Sequence, residues 1–341
     1  MSNADSLRPI SLAEFGGQEE LNHDLSILLR ASMERNELPE HILFAGPPGL
    51  GKTTLAAIVA NELKLPIVST SGPAIERPGD IASLLTGLRT PTVVFIDEIH
   101  ALDKKAEELL YSAMEDRVLD VVIGEGVKTR SVRVSLEPFT LIGATTQSGL
   151  LSSPLRDRFG FQGRLKLYDE LALSNIIMRS SLLLNVELSS EASLELALRS
   201  RGTPRVANRL LRRVRDWVQV KYNLGDQKTI SIDLEQTLQA LEAYGVDPKG
   251  LDSLGRDILL TLINSFNGGP VGIGALAAAV GEATTTIEQV YEPYLMRQGL
   301  LQRTLRGRQA TSDAWLHLGL TPPETPNSVI IPLPEETSTL L

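Results

Sequence analysis

"HILFAGPPGLGKTTLAAIVANEL", His41 to Leu63, decides the fold. Its centre, Gly46 to Thr53, fits G-x-x-x-x-G-K-[ST]. An apolar run precedes the loop, and Leu55, Ile58, Val59 and Leu63 follow on one helical face. Strand, glycine loop and helix N-terminus in that order make a phosphate cradle. Glycines let backbone N–H groups converge on phosphate oxygens, and the helix end adds positive potential. Lys52 is placed to neutralise the β- and γ-phosphates, and the Thr53 hydroxyl to ligate Mg²⁺.

Working outward, "HILFAG" (41–46), "PIVST" (66–70), "TVVFIDE" (92–98), "FTLIGATT" (139–146) and "GRLKL" (163–167) read as strands. Continuous apolar strands between helical stretches predict an α/β fold, a buried parallel sheet with helices on both faces. Residues 1–168 are expected to form this phosphate-binding domain. Residues 169–245 read as helical, in "DELALSNIIMRSSLLL", "SSEASLELALRSR" and "RVANRLLRRVRDWVQVKY", and are expected to form a second, smaller domain. Residues 246–320 begin a third region. There "GIGALAAAVG" and "EATTTIEQVYEPYLMRQG" fit two helices about a glycine turn, and "LLQRTLRGRQAT" fits two short strands with a basic tip. That is a winged-helix pattern. The Pro- and Thr-rich tail, 321–341, reads as disordered.

"VVFIDEIH", Val93 to His100, delivers Asp97 and Glu98 to a strand's carboxyl end, where open α/β sheets bind ligands. Asp97 can hold magnesium through water, and Glu98 can orient or deprotonate an attacking water. The bland alternative is a strand that ends in solvated acids. "LIGATT" ends another strand with Thr145 and Thr146, whose hydroxyls could report on the γ-phosphate. "SSPLRDRFG", Ser152 to Gly160, sets Arg156 and Arg158 about Asp157. If these arginines lie on the far side of the domain, they cannot reach their own nucleotide. They could complete a neighbour's charge compensation in a closed ring. Local pairing with Asp157 is the other reading.

The chain has 341 residues, enough for two or three domains, with 42% hydrophobic and 22% charged residues, an ordinary packed composition. With no cysteine, thiolate catalysis, disulfides and thiolate metal sites are excluded. The four histidines have no metal-ligand spacing. Neither a membrane span nor a secretory signal is expected, so the chain reads as cytoplasmic. A net charge of −9 argues against whole-surface attraction to nucleic acid. Arginine is clustered, however, over 199–215 and 297–308, and neither stretch contains an acid. Such patches can serve phosphates on an acidic protein. Arg303 and Arg308, on the basic tip, are the candidates for sequence-independent contacts to DNA phosphates.

The order of "LRPISLAEFGGQEEL", "GPPGLGKTTLA", "VSTSGPAIERPGDIA", "VFIDEIHAL", "GATT", "SPLRDRFG" and "RGTPRVANRLLRRVRD" resembles the AAA+ ATPases. Among them it is most similar to the RuvB family, motors of Holliday-junction branch migration. The similarity runs from about Leu7 to Leu320 and includes "GGPVG", "EPYL" and "LQRTLRGR". It implies Leu7 and Arg8 on the adenine side, and Gly49, Lys52, Thr53 and Thr54 around phosphates and magnesium. It also implies Thr146 as a catalytic position, Arg158 as the finger acting on the adjacent subunit, and Tyr168 against the nucleotide. It makes the helical region 169–245 a lid domain, from which Arg205, in "GTPR", would contact the γ-phosphate. Glu115, Asp116 and Arg117 join the nucleotide-binding positions.

The implied activity is ATP hydrolysis coupled to duplex translocation by a homo-hexameric ring, in recombination and repair. The implied partners are junction DNA, RuvA and RuvC. "VLDVVIGEGVKTRSVRVSL", Val118 to Leu136, reads as an inserted hairpin with "GEG" as its turn. Its apolar alternation suits a protein partner, and the resemblance supplies RuvA. Four departures from the family pattern stand out: Ala101 and Gln147 where arginine is common, Leu305 where proline is common, and "EDRVLD" for "EDFRLD". A clamp-loader ATPase and an ATP-gated DNA-binding switch share the cradle and remain alternatives at this point.

Overall fold

A computed structural model describes residues 7–123, 130–225 and 228–323. The "GEG" turn of the hairpin and the tail from residue 324 onward lie outside the described residues. The chain divides into two compact units between Gly250 and Leu251. Among the described residues, no helix is long and apolar enough to cross a membrane.

The first unit is built on five parallel strands in the order β2-β3-β6-β1-β7. These are β1 (Ile42–Ala45), β2 (Ile67–Ser71), β3 (Thr92–Asp97), β6 (Phe139–Thr145) and β7 (Phe161–Arg164). The three central strands are buried almost throughout, as their unbroken apolar runs require of a sheet covered on both faces. β2, an edge strand, leaves Ile67 and Val68 more than a third exposed. One apolar cluster lies on each side of the sheet.

β7 starts and stops earlier than the expected 163–167. Gln18 is the reason: its side chain donates to the Lys166 carbonyl at 2.7 Å and accepts from the Lys166 N–H at 3.1 Å. Those backbone groups are thereby satisfied without a strand partner. β4 (Val118–Ile123) and β5 (Arg130–Ser135) form the inserted antiparallel hairpin, with Leu119 opposite Val134 and Val121 opposite Val132. Its root is in the core, since Leu119 and Leu136 are buried.

The lid helices Glu170–Leu183, Ser190–Leu198, Pro204–Lys221 and Leu234–Ala243 begin at Asp169, Ser189, Thr203 and Asp233. Each of these side chains accepts an N–H of the first turn, which satisfies an otherwise orphaned donor. β8 (Val186–Leu188) pairs with β9 (Ile230–Ile232). The lid's apolar residues belong to the same cluster as one face of the sheet.

The second unit has its own core, from Leu251 to Ala314. Helices Ser253–Phe266 and Ile273–Val280 precede the antiparallel pair β10 (Leu301–Thr304) and β11 (Gly307–Ala310). The helix expected over 282–299 is not continuous. Thr284–Thr286 runs into a π-helical turn, Ile287–Tyr291, before Glu292–Arg297. Pro293 explains the interruption: it has no N–H to give, and its ring crowds the carbonyl of Gln289.

Candidate active site

The loop between β1 and helix Lys52–Glu62 places a ring of backbone around Lys52. Lys52 Nζ donates to the carbonyls of Gly46 at 2.7 Å and Pro47 at 3.0 Å. Its burial depresses the ammonium pKa, while Glu98 and Asp97 oppose that shift. Gly49 has φ +83°, and a Cβ there would meet Arg205 Cβ at 3.1 Å. The loop thus approaches the lid helix as closely as glycine permits. The Gly49 carbonyl also accepts from the Arg205 N–H at 3.4 Å.

β3 ends at Asp97, as the apolar run requires. Asp97 Oδ2 lies 3.5 Å from Thr53 Oγ1, and Oδ1 accepts from the Glu98 N–H at 3.0 Å. A hydroxyl beside a carboxylate is a hard oxygen pair that fits Mg²⁺. Among the described residues, no cluster of three or more His, Cys, Asp or Glu could hold a metal alone. Glu98 adopts left-handed φ 47°, ψ 47°, a conformation that stores about 1–3 kcal/mol in a non-glycine residue. Its Oε2 accepts from the Thr146 hydroxyl at 2.9 Å and the Thr146 N–H at 3.2 Å. Thr145, the other candidate, faces His100 instead.

These groups open into a cleft of about 330 Å³, within the range of small-ligand pockets. Gly49, Lys52, Thr53, Thr54, Asp97 and Glu98 line its polar end. Leu7, Arg8, Phe15, Tyr168 and Ile176 line the other part, with Arg205 and Arg212 from the lid. Tyr168 is buried, its hydroxyl donates to the Leu50 carbonyl at 3.2 Å, and burial pushes the phenol well above its usual range. Sequence reasoning missed Arg179. Its guanidinium donates to the Leu7 carbonyl at 3.1 Å and to Glu14 at 2.5 Å, tying the N-terminal segment to the lid. Arg212 was also missed, although it lies on the face of Arg205 two helical turns on.

Arg158 does not line this cleft. It sits at the end of the short helix Ser153–Asp157, paired with Glu115 at 2.9 Å and not with Asp157. Its guanidinium stacks on Tyr111, 4.4 Å from the ring centre, and donates to the Pro154 carbonyl at 2.7 Å. Glu115, Asp116 and Arg117 are likewise absent from the cleft of their own chain. Helix Lys104–Asp116 carries them to its far end, where Arg117 closes it in a left-handed conformation.

In the second unit the two candidate arginines part company. The Arg303 side chain is 61% exposed, with only a 3.8 Å approach to Glu292. Arg308 departs from its expected role as an open phosphate contact. Its side chain is 7% exposed and held by Glu292 at 3.0 Å and Glu288 at 2.6 Å. A carboxylate as buried as Glu292 needs a cation, so Arg308 is consumed inside the unit. The signal was in the sequence: β11 alternates, and Arg308 shares the inward face with Ala310. Arg306, between β10 and β11, is exposed. Leu305, one of the departures, stands fully exposed beside it.

A five-stranded parallel sheet, a phosphate loop after β1, paired acids at the end of β3 and a helical lid define an AAA+ P-loop ATPase. Three family models match in succession: the Holliday junction DNA helicase RuvB P-loop domain over residues 7–165, the RuvB AAA lid domain over 168–247, and the RuvB C-terminal winged-helix domain over 248–319. The chain belongs to the RuvB family. It is 52% identical over 319 residues to the Holliday junction branch migration complex subunit RuvB of Saccharopolyspora erythraea, covering 94% of this chain and 89% of that one. A solved structure titled as the Thermotoga maritima RuvB Holliday junction branch migration motor is similar with TM-score 0.81 and 48% identity, over 92% of this chain and 99% of that chain. A mutant of the same protein gives TM-score 0.82 at 48% identity, over 92% and 99%.

Proposed function

We propose that this chain hydrolyses ATP to drive branch migration of Holliday junctions, as a homo-hexameric ring working with RuvA and, at resolution, RuvC. The observation that carries the motor reading is the division of the hydrolytic groups. One cleft holds Lys52, Thr53, Asp97 and Glu98, while Arg158 lies outside it. A ring in which each Arg158 reaches the next subunit's γ-phosphate unites them. Such an arginine is worth about 10³–10⁵ in rate in studied systems. Glu115, Asp116 and Arg117, beside Arg158, would accompany it to the neighbour's nucleotide.

Within the cleft, Lys52 would leave the Gly46 and Pro47 carbonyls for the β- and γ-phosphates. Thr53 and Asp97 would hold Mg²⁺, whose charge neutralises the phosphates when bound. Glu98 would orient the attacking water and take its proton. Arg205 would sense the γ-phosphate from the lid, and Leu7, Arg8 and Tyr168 would enclose the nucleoside. On DNA, Arg303 and Arg306 would contact phosphates without reading sequence, and Arg308 would hold the strand pair that presents them. A basic winged helix supports this reading over a clamp loader, which would more often end in a helical collar.

The test is conversion of a four-way junction to duplex products, with ATP and with or without RuvA. Branch migration that requires ATP and is lost in Arg158→Ala is expected. Intact ATPase activity with no junction movement, with RuvA present, would sink the motor reading.

A further inference from the structure

Glu98 is held by one oxygen only. Oε2 receives the Thr146 hydroxyl and N–H, and His100 Nδ1 lies 3.3 Å from the same atom. Oε1 has no partner among the described residues. His100 is itself fixed. The helical turn Ile99–Ala101, directly after left-handed Glu98, sets its position, and its side chain is 12% exposed. Nδ1 also lies 2.9 Å from Thr145 Oγ1, which in turn accepts the Gln147 N–H at 3.0 Å.

A ring nitrogen can donate or accept. A lone pair on Nδ1 would face the Glu98 carboxylate and be repelled. The proton therefore belongs on Nδ1, shared between Glu98 Oε2 and Thr145 Oγ1. The approach of β2's end is equally tight: a Cβ on Gly72 would lie 2.4 Å from the Glu98 carbonyl, so the backbone of Glu98 has no room to shift that way.

We propose that His100 is a positioning residue for Glu98. Together with Thr146 it clamps Oε2, so that Oε1 is the oxygen left to meet the attacking water. The inference rests on reading Glu98 as the group that orients that water. Without the clamp the carboxylate turns about its own side-chain torsions, and the fraction of time in attack geometry falls.

Three substitutions separate the clamp from mere packing. His100→Asn places an amide nitrogen where Nδ1 was. His100→Gln reaches only the position of Nε2. His100→Leu removes both ring nitrogens at similar volume. ATP hydrolysis and binding of a fluorescent ADP are measured on the full chain, with Glu98→Gln alongside. His100→Leu is expected to lower kcat about 10- to 100-fold, the scale of a misplaced reacting group. KM and the ADP Kd should stay within about twofold, since ground-state binding is untouched. His100→Asn should regain most of kcat, and His100→Gln should not.

Wild-type kcat in His100→Leu overturns the inference, as does an Asn variant no better than the Gln variant. A matching loss of ADP affinity also overturns it. If His100→Leu fails to fold, the contrast of Asn with Gln still decides. If Glu98→Gln hydrolyses ATP at the wild-type rate, it is the reading of Glu98 that fails and not the clamp alone.

Discussion

His41 shows how a single half-buried side chain contributes to a pH limit. It precedes β1, its Nδ1 accepts the Leu141 N–H at 2.9 Å, and its Nε2 lies 3.2 Å from the Met114 carbonyl. The two contacts fix the neutral tautomer with the proton on Nε2. Burial lowers the imidazole pKa, with the Met114 carbonyl pulling the other way. In the unfolded chain the ring titrates near 6.5. Below that value the unfolded chain takes up a proton that the folded chain refuses. Stability from this residue is therefore full above about 6.5 and declines as pH falls towards the folded value. Urea midpoints at pH 7.5 and 5.5 should differ, and His41→Asn should narrow the difference. An unchanged difference would remove His41 from the account. Arg308 makes a second residue-scale case. Arg308→Ala strands the buried Glu292 carboxylate and should destabilise the second unit by about 3–5 kcal/mol, read by thermal melting. Arg303→Ala should leave the melt unchanged and weaken DNA binding equally on unrelated sequences, with a flatter salt dependence. The reverse pattern would return Arg308 to the DNA surface.

Among the elements, the hairpin of β4 and β5 divides into a root and a ribbon. Leu119 is fully buried at the root, whereas Val132, on the opposite strand, is 42% exposed. Between them Asp120 and Arg133 face each other across the strands with paired hydrogen bonds of 3.0 and 3.1 Å, which steadies the ribbon without a core beneath it. An exposed apolar strand face suits a protein surface better than a phosphate backbone. Val132→Asp should abolish RuvA binding in a pull-down or sedimentation assay while leaving the melt and RuvA-independent ATPase unchanged. Retained binding would place the contact elsewhere. Leu119→Ala, by contrast, removes buried volume and should cost about 2–5 kcal/mol of stability.

For the whole molecule, the proposed loan of Arg158 to a neighbour's cleft predicts that activity belongs to the assembly. Lys52→Ala chains lack the lysine of the phosphate cradle, and Arg158→Ala chains lack the group proposed to serve a neighbour. Each alone should be inert. Mixed, they should recover turnover, because an Arg158→Ala subunit keeps an intact cleft that a Lys52→Ala neighbour can complete. No recovery in assemblies proven to contain both, or full turnover by an isolated monomer, would count against the shared site.

Local sequence patterns suffice for the sheet, the cradle and the order of the parts. Those features depend on local patterns: apolar runs bury as parallel strands, a glycine loop before a helix binds phosphate, and Asp, Ser and Thr cap the lid helices. The sequence also placed Asp97 and Glu98, since a strand of known length ends at a known residue. Tertiary structure alone decided which groups meet across the chain. Arg179 reaches Leu7 from 172 residues away, and Thr146, after β6, reaches Glu98 at the end of neighbouring β3. Arg308 looked like a surface cation until Glu288 and Glu292 closed on it. The physical reason is the same each time: periodicity reports the face of one element, whereas the partner of a charge depends on which other element is packed against that face.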